Sequence, residues 1–342
     1  MRAMLLKALG PAREGRPPLA AEEWPDPEPG PGEVLIRVGA CGVCHTELDE
    51  IEGRTPPPHL PIILGHQAVG RVEALGEAAA GVAIGDRVGI AWIFSACGVC
   101  TYCRRGEENL CVLFRATGRD VHGGYAERMT APAGFVHPIP DAFTDAEAAP
   151  LLCAGAIGLR SLRLAGLVDG RNLGLTGFGA SGHLVLKLVR HRFPNSRVFV
   201  FARSEAERAF ALELGAEWSG DTADRSPDPL AAIIDTTPAW TPVVEALANL
   251  EPGGRLVINA IRKEDADKQA LLRLDYASHL WLEKEIKSVA NVTRDDVREF
   301  LRLAAEIPLR PEVEEYALED ANRAILELKT RDVRGAKVLR MD

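Results

Sequence analysis

The segment NLGLTGFGASGH, residues 172–183, decides the fold of the middle of the chain. Its apolar first half predicts a buried strand, and the pattern G-x-G-x-x-G that follows leads into a helix predicted over residues 183–193. Glycines at these places allow a tight turn and let a pyrophosphate approach the helix N-terminus closely. The segment therefore predicts a dinucleotide site, with an ordinary glycine-rich turn as the alternative. The candidate cofactor-binding residues of this loop are Gly177, Phe178, Gly179, Ala180, Ser181 and Gly182.

Downstream of the loop, apolar segments alternate with helical ones. Residues 197–202 (RVFVFA), 231–237 (AAIIDTT) and 255–260 (RLVINA) predict buried strands, and residues 205–214 and 243–249 predict helices between them. This alternation is typical of a doubly wound parallel sheet. The middle of the chain is therefore predicted to be an α/β domain.

The end of the second of these strands bears on the choice of cofactor. An NAD site usually places Asp or Glu about 20 residues after the glycine loop, where the carboxylate holds the ribose 2′-hydroxyl. Here the strand ends at Ala202 and is followed by Arg203 and Ser204. A guanidinium can pair with a 2′-phosphate, which a carboxylate would repel. We therefore expect NADP(H), with NAD(H) as the alternative, and add Arg203 and Ser204 to the cofactor-binding residues. The other interpretation is that Arg203 is a solvated residue at a strand end.

The N-terminal part of the chain has a different pattern. Up to about residue 150 it is rich in Gly and Pro, with short β-branched runs such as 33–38 and 70–74. This pattern predicts an irregular β domain, closed or nearly so. The tail predicts helices over 295–306 and near 318–328, and a closing strand at 336–341.

Composition sets limits on the class of protein. The 342 residues exceed what one hydrophobic core usually serves, so two domains are expected. There are 49 acidic and 40 basic residues, and the basic ones are scattered, which argues against nucleic-acid binding. No apolar run reaches the roughly 20 residues that a membrane helix needs. The N-terminal apolar run is too short for a secretory signal, which predicts a cytoplasmic protein.

Four of the seven cysteines lie close together in the sequence. Cys97, Cys100, Cys103 and Cys111 fall within one loop, in a lobe of about residues 95–113. Four thiolates at such spacing can close a tetrahedron around a structural Zn²⁺. An iron–sulfur cluster is the alternative, but Val112 stands where such a motif usually has proline.

Two further cysteines and a histidine suggest a second metal site. Cys44, His66 and Cys153 are far apart in the sequence, and each alone would more often be a buried structural residue. Together, two thiolates and one imidazole are the open three-ligand set of a catalytic zinc, which leaves a fourth position for substrate.

These motifs resemble those of the zinc-dependent medium-chain alcohol dehydrogenases, nearly from end to end. The resemblance is carried by ACGVCHTEL, the four-cysteine lobe, LLCAG, GFGASGH and RGAKVL. The phrases CAGAIGLRSL and ANVTRDDVREFL are most similar to the bacterial cinnamyl-alcohol-dehydrogenase-like branch. The resemblance implies an α/β protein with a GroES-like β-rich catalytic domain (1–153 and 287–342) and a Rossmann dinucleotide-binding domain (154–286).

The resemblance also implies an activity. It implies a zinc-dependent oxidoreductase that interconverts an aromatic or medium-chain primary alcohol and its aldehyde by hydride transfer with NADP(H), zinc activating the alcohol or carbonyl oxygen. The implied catalytic-zinc ligands are Cys44, His66 and Cys153, and a second, structural zinc is implied for the four-cysteine lobe. Thr46 matches a hydroxyl that passes the substrate proton onward, and Trp92, with Ile93 beside it, matches a wall of the substrate pocket. Homodimers or homotetramers are the expected assemblies.

Four residues depart from the family pattern. Gln67 stands next to His66 where Glu is common, and Glu47 stands where Asp usually accepts the ring N–H of the zinc histidine. Asp49 replaces a histidine that completes the proton relay, so either Asp49 or water is expected to do so. Ile157 replaces a threonine that contacts nicotinamide.

Three alternatives remain open from the sequence. A polyol or formaldehyde dehydrogenase on the same scaffold is one rival activity. A dinucleotide-binding sensor without catalysis is a rival from another class, although the complete zinc ligand set argues against it. Trp281 lines either the active-site cleft or a contact between subunits.

Overall fold

The computed structural model describes residues 1–307, 309–330 and 335–341. The chain divides into two units, the first formed by Met1–Ala156 with Asn291–Asp342, and the second by Ile157–Ala290. The first unit is mainly β structure and the second is α/β. Arg334 of the RGAKVL motif lies outside the described residues. The catalytic and dinucleotide-binding roles attached to 1–153, 287–342 and 154–286 stay predictions.

The described residues of the first unit form three sheets, and most of their strands are short. Its strands are β1 (Arg2–Leu6), β2 (Leu19–Glu23), β3 (Glu33–Val43), β4 (Ile62–Ile63), β5 (Ala68–Leu75), β6 (Arg87–Ile90), β7 (Ile93–Ser95), β8 (Arg115–Ala116), β9 (Arg128–Pro132), β10 (Val136–Pro138) and, after the second unit, β17 (Val313–Ala317) and β18 (Ala336–Arg340). The largest sheet has the order β10-β6-β5-β3-β18-β17, with β9 also paired to β3. β2-β1-β4 and β7-β8 form the two smaller sheets.

Short helices connect these strands. The α-helices of the first unit are α1 (His45–Ile51), α2 (Thr101–Arg104), α3 (Asp145–Ala148), α8 (Arg294–Glu306) and α9 (Ala321–Thr330). Its 3₁₀ turns are Glu108–Leu110, Ala133–Phe135, Ala149–Leu152 and Leu318–Asp320. The tail helix predicted near 318–328 thus begins as a 3₁₀ turn and continues as α9.

The second unit has a six-stranded sheet in which every neighbouring pair is parallel. Its strands are β11 (Leu173–Thr176), β12 (Val198–Phe201), β13 (Trp218–Gly220), β14 (Leu230–Asp235), β15 (Leu250–Ile258) and β16 (Glu285–Ser288). The order β13-β12-β11-β14-β15-β16 is the 3-2-1-4-5-6 order of the Rossmann fold. The predicted doubly wound sheet is confirmed.

The helices of the second unit follow its strands. They are α4 (Ala154–Ala165), which begins in the first unit, α5 (Ala180–Arg192), α6 (Glu205–Glu213) and α7 (Thr241–Leu247), with a 3₁₀ segment at Lys268–Arg273 and a π-turn at Tyr276–Leu280. The helix predicted to start at residue 183 begins three residues earlier, because Gly179 already serves as its N-cap. Strands β13 and β16 were not predicted, since neither has an apolar run. β16 lies at the edge of the sheet and is exposed along its length. The predicted assembly into homodimers or homotetramers stays a prediction.

One described stretch, Asp145–Ala165, matches a membrane-crossing helix in length and composition. Of its most apolar window, 72% is buried inside the protein, as in the core helix of a globular domain. The 3₁₀ turn at Ala149–Leu152 and Cys153 interrupt the α-helix within it. This stretch is therefore accounted for by packing within the protein.

Candidate active site

Three separate segments of the first unit bring Cys44, His66 and Cys153 together. Cys44 follows β3 and caps α1, His66 lies between β4 and β5, and Cys153 follows the 3₁₀ turn Ala149–Leu152. Their ligand atoms lie within 4.8 Å of one another, and His66 Nε2 is 3.3 Å from Cys153 Sγ. The sequence prediction that these residues form one cluster therefore agrees with the geometry.

A glycine sets the turn that delivers His66 to this cluster. Gly65 has φ +97°, in the left-handed region, and a Cβ there would lie 2.4 Å from a ring carbon of Tyr125. A larger residue would have to displace the fully buried Tyr125. The position is therefore restricted to glycine both by conformation and by space.

Glu47 joins the start of α1 to His66. One carboxylate oxygen, Oε2, accepts the backbone N–H of Cys44 at 2.9 Å, which completes the capping box of the helix. The other oxygen, Oε1, lies 2.5 Å from His66 Nδ1. When the ring is neutral and donates Nδ1–H to this carboxylate, Nε2 presents its lone pair to the two sulfurs. Glu47 thus has the position that the sequence analysis assigned to it.

The three candidate ligands change one another's pKa values, because their side chains are in contact. A hydrogen bond with Cys153, assisted by His66, lowers the pKa of Cys44 well below its ordinary value. The same hydrogen bond, together with burial, raises the pKa of Cys153 well above it. Burial opposes the charged form of His66, but Glu47 and Cys44 outweigh burial and raise the pKa of His66. The cluster therefore favours a thiolate at Cys44, the form that binds metal.

These donors fit a zinc ion. Zinc binds Cys at ~2.3 Å and His at ~2.0–2.1 Å, so a tetrahedral site separates S and N ligands by about 3.5 Å and two sulfurs by about 3.8 Å. The observed 3.3 Å between His66 Nε2 and Cys153 Sγ is close to the first value. Three ligands leave one tetrahedral position open, which is the arrangement of a catalytic rather than a structural zinc.

The two candidate proton-relay residues are placed differently. Thr46 Oγ1 lies 3.6 Å from Cys44 Sγ, next to the cluster. Asp49 is buried and accepts a hydrogen bond from Arg54 Nε at 2.6 Å. Because this ion pair engages the Asp49 carboxylate, the pairing favours water over Asp49 as the final proton carrier, and the relay role of Asp49 stays a prediction.

The predicted substrate-pocket residues also differ from each other. The half-buried Trp92 ring lies 5.2 Å from the ring of Phe114, measured between ring centres. The guanidinium of Arg119 lies 5.3 Å from the centre of the Trp92 ring. Ile93 is completely buried where β7 begins. The side chain of Ile93 has no exposed surface, and the pocket roles of Trp92 and Ile93 stay predictions.

Glu50 is a residue that the sequence analysis missed. It lies one helical turn after Glu47 in α1, is only 1% exposed, and neither carboxylate oxygen has a hydrogen-bond partner among the described residues. Burial, and the nearby charge of Glu47, raise the pKa of Glu50 well above its ordinary value. The sequence does contain a signal for this residue. Glu47 and Glu50 have i, i+3 spacing, which puts them on the same face of a helix, so Glu50 could have been predicted to lie near the candidate site.

Replacing Glu50 by Leu is expected to stabilise the protein. An unpaired buried polar group costs about 1–3 kcal/mol, which an apolar side chain would not incur. Because the pKa of Glu50 is raised on folding, its contribution to stability falls as pH rises above the ordinary value of 4.5. The gain from Glu50→Leu should therefore be larger at pH 8 than at pH 5 in urea unfolding. Glu50→Gln, which keeps the buried polar group, is the matched control; a less stable Glu50→Leu at pH 8 would show a favourable partner for the carboxylate.

The second cysteine cluster forms a separate candidate metal site in the same unit. Cys97 Sγ and Cys103 Sγ are 3.9 Å apart, Cys100 Sγ and Cys103 Sγ are 3.5 Å apart, and all four sulfurs, with that of Cys111, lie within 4.8 Å of one another. Sulfurs around tetrahedral zinc are about 3.8 Å apart. Backbone N–H groups of Val99 and Cys100 lower the pKa of Cys97 to about 6. The lobe therefore offers four sulfur ligands and no open position.

An ion pair attaches this lobe to α8. Arg294, the first residue of α8, donates from Nε to Glu108 at 2.9 Å and from a terminal nitrogen to the Gly134 carbonyl at 2.9 Å. Its guanidinium also lies 4.3 Å from the centre of the Phe135 ring. The ion pair holds the 3₁₀ turn of the lobe, and the other two contacts hold the turn Ala133–Phe135, against the start of the helix.

The glycine loop of the second unit has the geometry expected for close approach of an anion. Gly177 has φ +79°, a Cβ on Gly179 would meet open space, and a Cβ on Gly182 would lie 2.9 Å from the Gly177 carbonyl oxygen. Phe178 is buried, and Ala180 and Ser181 form the half-buried first turn of α5. The three glycines thus serve the turn, the open approach and the close packing in that order.

Arginines lie at the end of β12, where the ribose of a dinucleotide is expected. Arg203 is exposed and takes part in no ion pair among the described residues. Arg208, on α6, donates to the carbonyl oxygens of Ala202 and Arg203 at 2.7 and 2.8 Å. Ser204 caps α6 by accepting the N–H of Glu207 at 3.4 Å. Two guanidinium groups therefore flank this strand end.

An open three-ligand metal site in one unit and a dinucleotide loop in the other are typical of metal-assisted oxidoreductases. Comparison with known proteins agrees. Residues 30–141 match the family model of the alcohol dehydrogenase GroES-like domain. The chain is 42% identical over 344 residues to a probable alcohol dehydrogenase, AdhA, of Mycobacterium tuberculosis (strain CDC 1551 / Oshkosh), covering 99% of this chain and 97% of that protein.

Two further proteins extend the comparison. An alcohol dehydrogenase of Geobacillus stearothermophilus is 33% identical over 334 residues, covering 94% of this chain and 96% of that protein. The structure of cinnamyl alcohol dehydrogenase SbCAD4 from Sorghum bicolor matches with a TM-score of 0.85 and 26% identity, covering 99% of this chain and 97% of that one. The chain belongs to the alcohol dehydrogenase family. Its predicted family, its enzyme class and its GroES-like and Rossmann folds are confirmed, which argues against the non-catalytic sensor.

Proposed function

We propose that the protein interconverts a primary alcohol and its aldehyde with NADP(H), using a catalytic zinc held by Cys44, His66 and Cys153. The observation that carries this proposal is the convergence of two sulfurs and one imidazole nitrogen within 4.8 Å, with the imidazole oriented by Glu47. Bound zinc would supply a Lewis acid for the substrate oxygen, and the nicotinamide would accept or donate hydride. A structural zinc in the four-cysteine lobe is part of the same proposal.

The residues around the candidate ligands support the chemistry in distinct ways. Glu47 fixes the tautomer of His66 and thereby keeps Nε2 available as a ligand. Thr46 has its hydroxyl 3.6 Å from Cys44 Sγ, and we assign to it the first step in removing the substrate proton. Gln67 is buried and is in contact with Gly42, where a Cβ would lie 2.9 Å from the amide carbon. As a neutral amide it adds no negative charge beside His66. The half-buried Trp92 supplies an apolar wall that suits an aromatic or medium-chain substrate.

The preference for NADP(H) is supported by the arginines at the end of β12. Arg203 is exposed and available to pair with a 2′-phosphate, and Arg208 adds a second positive charge beside it. At the strand end, position 202 is alanine, not an Asp or Glu whose carboxylate could bind a 2′-hydroxyl. A charge-assisted hydrogen bond to a phosphate contributes about 1.5–3 kcal/mol, which is enough to decide between the two cofactors.

Initial rates of benzaldehyde reduction by the zinc-loaded protein, with NADPH and NADH in parallel, test the proposal. We expect a higher kcat/KM with NADPH. Arg203→Ala should lower kcat/KM for NADPH by about 10–100-fold, the equivalent of one charge-assisted phosphate contact, and leave NADH within about twofold. Arg273→Ala removes an arginine of the same unit that pairs with Glu245, and should change neither value.

Each result separates one part of the proposal from another. Reduction with a preference for NADH would keep the enzyme class and contradict the role of Arg203. Equal losses for both cofactors in Arg203→Ala would mean that the guanidinium acts on the fold of the loop. No reduction of benzaldehyde or of medium-chain aldehydes with either cofactor would contradict the proposed substrate class.

A further inference from the structure

The second unit contains a charged network at the place where the order of its strands reverses. The chain runs from β11 outward to β13 and then crosses to β14 on the other side of β11, so the switch point lies between β11 and β14. In sheets of this kind a ligand binds in the crevice outside the carboxyl ends of the strands at the switch point. The glycine loop, after β11, borders one side of that crevice. The segment Thr236–Ala239, after β14, borders the other.

Buried charges hold the second border in place. Asp235, the last residue of β14, is 0% exposed, and its Oδ1 accepts hydrogen bonds from the hydroxyls of Thr176 at 2.5 Å and Thr237 at 2.8 Å. The ammonium of Lys263, whose side chain is 7% exposed, forms an ion pair with the other carboxylate oxygen. It also donates to the carbonyl oxygens of Thr237 at 2.7 Å and Ala239 at 2.9 Å. All three N–H groups of the ammonium therefore donate, two to carbonyl oxygens of this segment and one to the carboxylate of Asp235 in the strand before it.

The same segment is in contact with the first glycine of the loop. A Cβ on Gly177 would lie 2.7 Å from Thr236 Oγ1 and 3.1 Å from Thr237 Cγ2. The Thr236 hydroxyl donates to the Thr176 carbonyl at 2.9 Å. Lys263, the 236–239 segment and the glycine loop therefore form one connected structure that joins three separate parts of the chain.

We propose that Lys263 is a positioning residue that holds Thr236–Ala239 as the wall of the crevice for the nicotinamide half of the dinucleotide. The proposal rests on the proposed function. The adenosine half lies toward the end of β12, at Arg203, and the pyrophosphate lies at the glycine loop, so the other half extends across the switch point toward β14. A buried ammonium that donates to two carbonyl oxygens of one loop and pairs with the carboxylate at the end of the preceding strand fixes the position of that loop. Lys263 itself needs no contact with the cofactor.

Binding of NADPH and of adenosine 2′,5′-bisphosphate, measured by calorimetry on the full chain, tests this role. The bisphosphate has the adenosine half of NADPH and lacks the nicotinamide half. Lys263→Met alone leaves Asp235 buried and unpaired and can unfold the unit, so the variant to measure is the double change Asp235→Asn with Lys263→Met. The amide introduced by Asp235→Asn keeps an acceptor for the threonine hydroxyls. We expect the Kd of NADPH to rise by about tenfold or more, equivalent to about 1.4 kcal/mol, with that of the bisphosphate unchanged.

Lys268→Met removes an exposed lysine of the same unit and should change neither Kd. Unchanged NADPH binding in the double variant, or equal weakening of NADPH and the bisphosphate, would overturn the positioning role. If the wild type binds NADH in preference to NADPH, the cofactor part of the proposed function is wrong, and the same ratio measured with NADH and AMP decides the role of Lys263.

Discussion

Replacing Cys44 by Ser is expected to reduce turnover by about a thousandfold or more while dinucleotide binding is retained. Loss of one of three protein ligands weakens the hold on a metal whose charge stabilisation is worth several kcal/mol, and each 1.36 kcal/mol is tenfold in rate. The glycine loop and Arg203 belong to the other unit, so NADPH binding should not change. The measurements are kcat for benzaldehyde, zinc content per chain, and the Kd of NADPH.

Cys41 provides a matched control for this change. It lies three residues before Cys44, is fully buried, and is not part of either ligand cluster. Cys41→Ala should therefore retain two zinc ions per chain and most of the activity. Full turnover of Cys44→Ser, or equal zinc loss in both variants, would remove Cys44 from the proposed metal site.

Cys100→Ser is expected to produce the largest loss of stability. The four sulfurs of the lobe hold together a segment that has only the short helix α2 and one 3₁₀ turn as regular structure. Structural zinc contributes directly to folding free energy, and its loss is among the few single changes that cost more than about 4 kcal/mol. We expect the Tm to fall by about 8 °C or more. Zinc content should drop from two to one.

Thr101→Ala changes an exposed residue next to Cys100 and should leave both the Tm and the zinc content unchanged. The cluster of Cys44, His66 and Cys153 should keep its metal in Cys100→Ser. An unchanged Tm with one zinc lost would show that the lobe folds without metal, and an unchanged zinc content would show that the fourth sulfur is not needed.

The two metal clusters were accessible from sequence for different reasons. The spacing of Cys97, Cys100 and Cys103 confines their sulfurs to one loop, so local geometry alone predicts a shared ligand. Cys153 is 87 positions from His66, and nothing local predicts that pair. The residue types suggested the ligand set, and the resemblance to a known family then implied the same set. The glycine loop was predicted because its strand–turn–helix context is also local.

The remaining features depend on tertiary packing. Asp49 was predicted as a proton carrier from its position in the sequence. Its ion pair with Arg54, which engages the carboxylate, depends on the turn that follows the end of α1. Ile93 was assigned to the pocket because it follows Trp92; in the fold Ile93 is completely buried at the start of β7, whereas Trp92 lies before that strand and is half-buried. The pairing of Lys263 with Asp235 joins residues 28 positions apart through the order of the strands, which no spacing rule contains.

The place of β18 in the large sheet has a consequence for synthesis. β18 pairs with β3 on one side and with β17 on the other, and it comes after the whole second unit in the chain. On the ribosome, Cys44, His66 and Cys153 all emerge before the strand that completes their sheet. The second unit is one continuous segment, so it can finish folding before the last strands of the first unit have been synthesised. The residues of the candidate metal sites therefore emerge while this sheet is still open, and its β3 edge is closed only when β18 is released.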